Sequence, residues 1–74
     1  MTQIEINEAQ SLINNLSKTD KKCLKEIYGN EWNHVTNPKD FGKKFKKAVK
    51  NSKLKGLNHI GIRSTGRCDE YEKL

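Results

Sequence analysis

The sequence predicts a mainly α domain closed by a C-terminal β-hairpin, and three observations carry that expectation. Apolar residues recur at helical spacing in successive stretches between residues 6 and 56. Two later runs, Leu57 to Ser64 and Arg67 to Lys73, alternate about Thr65-Gly66 as a hairpin does. The chain has 74 residues, 32% of them apolar, which suffices for one small core and no more.

In chain order, residues 1–5 are expected to fray. Ile6, Ala9, Leu12, Ile13 and Leu16 then mark one face of a helix over Ile6–Leu16. Ser17-Lys18-Thr19-Asp20 has the form of a capping box, a hydroxyl followed three residues later by an acid, and predicts a second helix from about Thr19 to Tyr28. That helix would bury Cys23, Leu24 and Ile27 and end at Gly29. Asn30 to Val35 reads as a short connecting helix or turn. Its Trp32, the only tryptophan, is expected to anchor the core; the functional alternative is a platform for base stacking.

The best-defined element follows. Asn37 is an N-cap type, Pro38 suits the first helical position, and Asp40 complements the positive end of the helix. Phe41, Phe45, Ala48 and Val49 share one face, and Lys39, Lys43, Lys46, Lys47 and Lys50 the opposite one, with Lys44 on the flank. A helix from Asn37 to about Ser52 is predicted. Gly42, poor in a helix interior, is assigned to close packing or, failing that, to the approach of a phosphate. After Gly56 the hairpin is expected to pair Ile62 with Asp69 and Ile60 with Tyr71, burying Ile60, Ile62 and Tyr71 and pointing His59 and Arg63 outward. The domain organisation is thus a single domain over 1–74, with residues 1–5 frayed, a helical part over 6–56 and a hairpin over 57–74. A helical core whose last helix is basic and leads into a hairpin has a winged-helix, or helix-turn-helix-like, order; a three-helix bundle with a disordered tail is the alternative.

Charge narrows the function. Residues 1–34 carry four lysines and five acids, net −1, whereas residues 35–74 carry eleven basic groups and four acids, net +7. Between 39 and 55 alone there are eight lysines and one acid. A cationic row on a docked helix suits a polyanion, so the expected phosphate contacts are Lys39, Lys43, Lys46, Lys47, Lys50, Lys53, Lys55, Arg63 and Arg67. Base reading normally uses Arg, Asn or Gln, so an all-lysine face suits backbone tracking rather than operator reading. No apolar run reaches membrane-spanning length and the start lacks a signal-peptide pattern, so the expected location is the cytoplasm and no membrane partner is expected.

Catalytic and cofactor signatures are absent from the sequence: there is no glycine-rich phosphate loop, paired-histidine metal helix or nucleophile motif. We expect no enzyme activity and no cofactor. Cys23, His34, His59 and Cys68 lack the paired spacing of a zinc site, and the two cysteines are expected to be reduced thiols of no chemical importance.

Glu26-Ile27-Tyr28-Gly29-Asn30-Glu31-Trp32, then Phe41-Gly42-Lys43-Lys44-Phe45, then Tyr71-Glu72-Lys73 resemble a family of small single-stranded DNA-binding proteins from phages and cassette-borne mobile elements of Gram-positive bacteria. The resemblance spans residues 24 to 73 and rests on the order and spacing of these motifs. It implies a noncatalytic accessory protein that prefers single-stranded DNA and works beside a primase-like polymerase in replication or priming. An arginine associated with the start of the G-x-x-F helix is a lysine or absent here, so its bidentate phosphate contact is not carried over. The alternatives are a winged-helix repressor of duplex DNA and a phage-encoded inhibitor that uses the lysine face against an acidic protein.

Overall fold

Thr2, not Ile6, begins the first helix. In the computed structural model, which describes residues 1–64 and 66–74, Thr2 Oγ1 accepts the Glu5 backbone N–H at 3.2 Å and the Thr2 N–H donates to Glu5 Oε1 at 2.8 Å. This reciprocal cap satisfies two donors and orders the segment expected to fray. Helix α1 spans Gln3–Asn14 and buries Ala9 and Ile13.

The second expected helix splits. Thr19 takes a positive φ of 73°, which no helix accommodates. The Ser17–Asp20 pairing forms, with the Ser17 N–H donating to Asp20 Oδ2 at 3.0 Å, but it closes a loop rather than starting a helix. Lys21–Cys23 becomes strand β1, and only Leu24–Tyr28 is helical, as α2. Gly29 follows with φ 56° and ψ −126°, a conformation that a side chain rarely tolerates, and a 3-10 helix runs over Gly29–His34. Asn37 is left-handed and caps nothing with its side chain; its Nδ2 donates instead to Asp40 Oδ2 at 3.1 Å. Helix α3, Pro38–Lys50, buries the four residues expected of it: Phe41, Phe45, Ala48 and Val49.

Strands β2, Leu57–Ile62, and β3, Asp69–Lys73, complete an antiparallel sheet of order β1-β3-β2. This sheet overturns the mainly α, winged-helix-like expectation: the described residues form an α+β domain of three α-helices against three strands. The hairpin is not an appendage. Its second strand is the centre of the sheet, flanked by β1 through Lys21↔Glu72, Lys22↔Tyr71 and Cys23↔Glu70. The physical reason is local to β3, whose outer edge would otherwise leave its backbone groups unpaired. Residues 21–23 satisfy that edge and set a lysine opposite a glutamate, a favourable cross-strand pair.

The expected register holds at Ile62↔Asp69 and fails beyond it. His59, not Ile60, opposes Tyr71, because a β-bulge leaves Ile60 without a partner between His59 and Gly61. Ile60 is consequently 46% exposed, whereas His59 lies half-buried against the Tyr71 ring, centroids 5.2 Å apart. Ile62 keeps its expected partner but, at the end of the strand, is 71% exposed and not in the core. The expected turn falls partly outside the described residues, at Thr65. Tyr71 is 1% exposed and meets Phe45 edge-on at 5.2 Å, the contact that fastens α3 to the sheet. Leu54 and Leu57 replace the two isoleucines in the core. The side-chain amide of Gln10 clamps the approach to β2, donating to Lys55 O and accepting from Lys55 N–H, both at 2.8 Å.

Cys23 and Cys68 are joined in a disulfide, with Cα atoms 5.9 Å apart, which corrects the expectation of free thiols. The bridge follows from the sheet: pairing Cys23 with Glu70 brings it beside the residue that leads into β3.

Candidate nucleic-acid interface

Helix α3 positions most of the cations. With 3.6 residues per turn, burying Phe41 and Phe45 forces Lys43, Lys47 and Lys50 onto the far side, where all three are exposed. Lys39, Lys53 and Lys55 are exposed as well, and Lys46 is half-buried. Asp40 is the only acid on the helix.

One side of this row borders a groove of about 600 Å³. Trp32 and Pro38 line it near the start of α3, Gly42 and Leu24 line it further along, and Cys68 and Tyr71 line it from the sheet. Five cations also line it, Lys25, Lys39, Lys43, Lys46 and Arg67, against one carboxylate, Asp69. Asp69 is itself occupied: His59 Nε2 is hydrogen-bonded to its Oδ1 at 3.0 Å, and Lys46 Nζ lies 3.5 Å from the same oxygen. Partial burial pushes its carboxyl up, but the hydrogen bond from His59 and the charge of Lys46 outweigh this and hold it below the usual aspartate range. Three of the five acids of the N-terminal half gather elsewhere, where Glu5, Glu8 and Glu31 line a separate cavity of about 290 Å³.

Gly42 does not serve close packing. Among the described residues, a Cβ built there meets only Leu24 Cδ2, at 4.0 Å, so none of these neighbours requires a glycine. What the missing side chain does is leave the groove open above the helix.

The expected phosphate contacts do not all fall together. Lys39, Lys43 and Lys46 line the groove, Lys47 and Lys50 continue the row outside it, and Lys53 follows the helix end. Lys55 has its backbone bound to Gln10. Arg67 is exposed in the groove wall. Arg63 is committed elsewhere, its guanidinium donating to Glu70 Oε2 at 2.8–2.9 Å and to Glu26 Oε1 at 2.9 Å. Glu26 also accepts the Cys23 backbone N–H at 2.8 Å. That bond first, and Arg63 second, hold the Glu26 carboxyl below its ordinary range. Arg63 therefore ties α2 to β3, and it leaves the set of free cations. Sequence reasoning missed Lys25, which lies outside the lysine-rich segment and reaches the groove from α2. It also placed Trp32 in the core or on the surface, whereas Trp32 does both. Its ring packs edge-on to Tyr28 and Phe41, centroids 6.1 and 6.4 Å away, and still lines the groove.

Cys23, His34, His59 and Cys68 do not converge. The cysteines bond to one another, His59 is bound to Asp69, and His34 is exposed at the end of the 3-10 helix. No helix among the described residues is long and apolar enough to cross a membrane.

The model of a domain of unknown function, DUF1413, matches residues 7–73, and the chain belongs to that family. No curated protein and no solved structure matches it significantly.

Proposed function

We propose that this DUF1413 domain is a noncatalytic DNA-binding accessory protein of a phage or mobile element, preferring single strands and assisting replication or priming beside a polymerase-like primase. The observation that carries the binding reading is the segregation of charge: the lysine row of α3 faces solvent with a single acid on its helix, and the adjoining groove has five cations around one carboxylate, Asp69, which one of them, Lys46, engages. Such a surface gains affinity by releasing counterions from phosphates and discriminates little between sequences. The role in replication rests on the sequence resemblance, and the cytoplasm as its setting on a sequence with no apolar run of membrane-spanning length. In that compartment the Cys23–Cys68 bridge would be a reversible pair rather than a permanent staple.

The test is electrostatic. Lys43, Lys47 and Lys50 lie within about 60° of one another around the helix. Their joint replacement by glutamine keeps helix propensity nearly constant. It should weaken binding alike for every sequence and flatten the slope of log affinity against log salt. The expected change is about 0.7 per lost contact on a single strand and about 0.9 on a duplex. Wild-type affinity with an unchanged slope in the triple variant would reduce the face to a solvated surface. Labelled single-stranded and duplex DNA, titrated in parallel, decide the strand preference.

A further inference from the structure

We propose that the groove beside α3 accepts an unpaired nucleobase stacked on Trp32, while the lysines on its rim hold the neighbouring phosphates. The inference rests on the DNA-binding reading above and deepens it by naming what gives the site its strand preference.

Three observations lead to it. The groove, at about 600 Å³, is within the size range of small-ligand sites and combines an aromatic wall with a cationic rim, the two components of a single-strand binding surface. Trp32 is half-buried: Tyr28 and Phe41 pack against it edge-on and fix its orientation, yet it still contributes to the groove wall. A preorganised ring of this kind can stack on any base, because every base has a π face. Gly42 is the third observation. A glycine in a helix interior is costly, and here no packing contact demands one, since an added Cβ would only touch Leu24. Any longer side chain at this position would project into the groove that Trp32 and Lys46 also line.

The cations are disposed to match. Lys39, Lys43 and Lys46 follow one another along α3 and span about 10 Å at the helical rise. That is close to three nucleotides at about 3.4 Å per step of one strand. Lys25 and Arg67 contribute positive charge from outside α3. Asp69 does not repel a phosphate strongly, because Lys46 and His59 already hold it. A duplex keeps its base faces stacked inside and would have to extrude a nucleotide to use the groove, whereas a single strand offers its bases at little cost.

Trp32 is the only tryptophan, so tryptophan fluorescence reports on the groove wall without a second tryptophan contributing. The full chain, with its disulfide intact, is titrated with oligothymidylate of about twelve nucleotides and with an abasic phosphodiester strand of equal length. Oligothymidylate should quench Trp32 and bind roughly 5- to 160-fold tighter than the abasic strand. Gly42→Leu fills the groove without removing a charge or a core side chain. It should abolish the quenching and bring oligothymidylate down to the abasic affinity, with the salt dependence kept. Trp32→Leu should do the same to affinity, and circular dichroism establishes that each variant is folded. Equal affinity of the wild type for the two strands, or a folded Gly42→Leu that still prefers oligothymidylate, overturns the stacking site and leaves the lysine reading standing. Failure of the wild type to bind either strand overturns both.

Discussion

Replacing Gly42 with alanine should stabilise this protein, although the residue lies in its most important helix. Gly42 sits inside α3 with no positive φ, so alanine adopts the same backbone without strain. The new Cβ would lie 4.0 Å from Leu24 Cδ2, an ordinary van der Waals distance, so the substitution adds a contact and no clash. The remaining term is the backbone entropy that glycine loses on entering a helix, about 0.8–1.0 kcal/mol relative to alanine. For a domain of this size a gain of about 1 kcal/mol raises Tm by roughly 4–8 °C. Thermal unfolding followed by far-UV circular dichroism, with the disulfide intact in both proteins, measures the difference directly. An unchanged or lower Tm would refute the reasoning, for it would mean that Gly42 is needed by the packing of α3 on α2. A methyl group is also too small to fill the groove, so DNA binding should persist in Gly42→Ala where it changes in Gly42→Leu.

Other perturbations follow from the same geometry. Phe45 has no exposed surface and touches Phe41, Tyr28 and Tyr71, so Phe45→Ala should cost about 3–5 kcal/mol by chemical denaturation. Cys68→Ser opens a loop closed across 45 residues, and the loop-closure relation sets the loss at about 4 kcal/mol, which a dithiol reductant should reproduce in the wild type. Glu26 has a folded-state pKa below its ordinary 4.5, so the unfolded chain binds the proton more readily. Its contribution is complete above that value and is lost as pH falls through the folded pKa; Glu26→Gln should therefore show a shallower decline of stability on acidification than the wild type. An identical acid limb in the two proteins would show that the Cys23 backbone and Arg63 do not favour the carboxylate.

The sequence by itself determined α3 almost completely, because a helix is periodic in its own residues. Phe41, Phe45, Ala48 and Val49 select the buried face whatever they meet, and the lysines then have one side left. The pairing of Ile62 with Asp69 was legible for a related reason, since a hairpin joins near neighbours, although the second strand starts at Asp69 and not at Arg67, whose φ is positive. What the tertiary structure decided involves distant partners. Lys21–Cys23 sits in a stretch with helical spacing and becomes a strand because the edge of β3, some fifty residues later, needs its hydrogen bonds satisfied. A bulge of one residue at Ile60 reverses which side chains reach the core, and alternation alone gives no sign of it. The disulfide depends on β1 existing at all. The groove is decided last: Trp32 and Lys25 belong to one part of the chain, Gly42 and Lys46 to another, and Arg67 and Tyr71 to a third. Each has a sufficient local explanation, as core anchor, solvated charge or helix defect, and only packing α3 between the 3-10 helix and the sheet makes them neighbours.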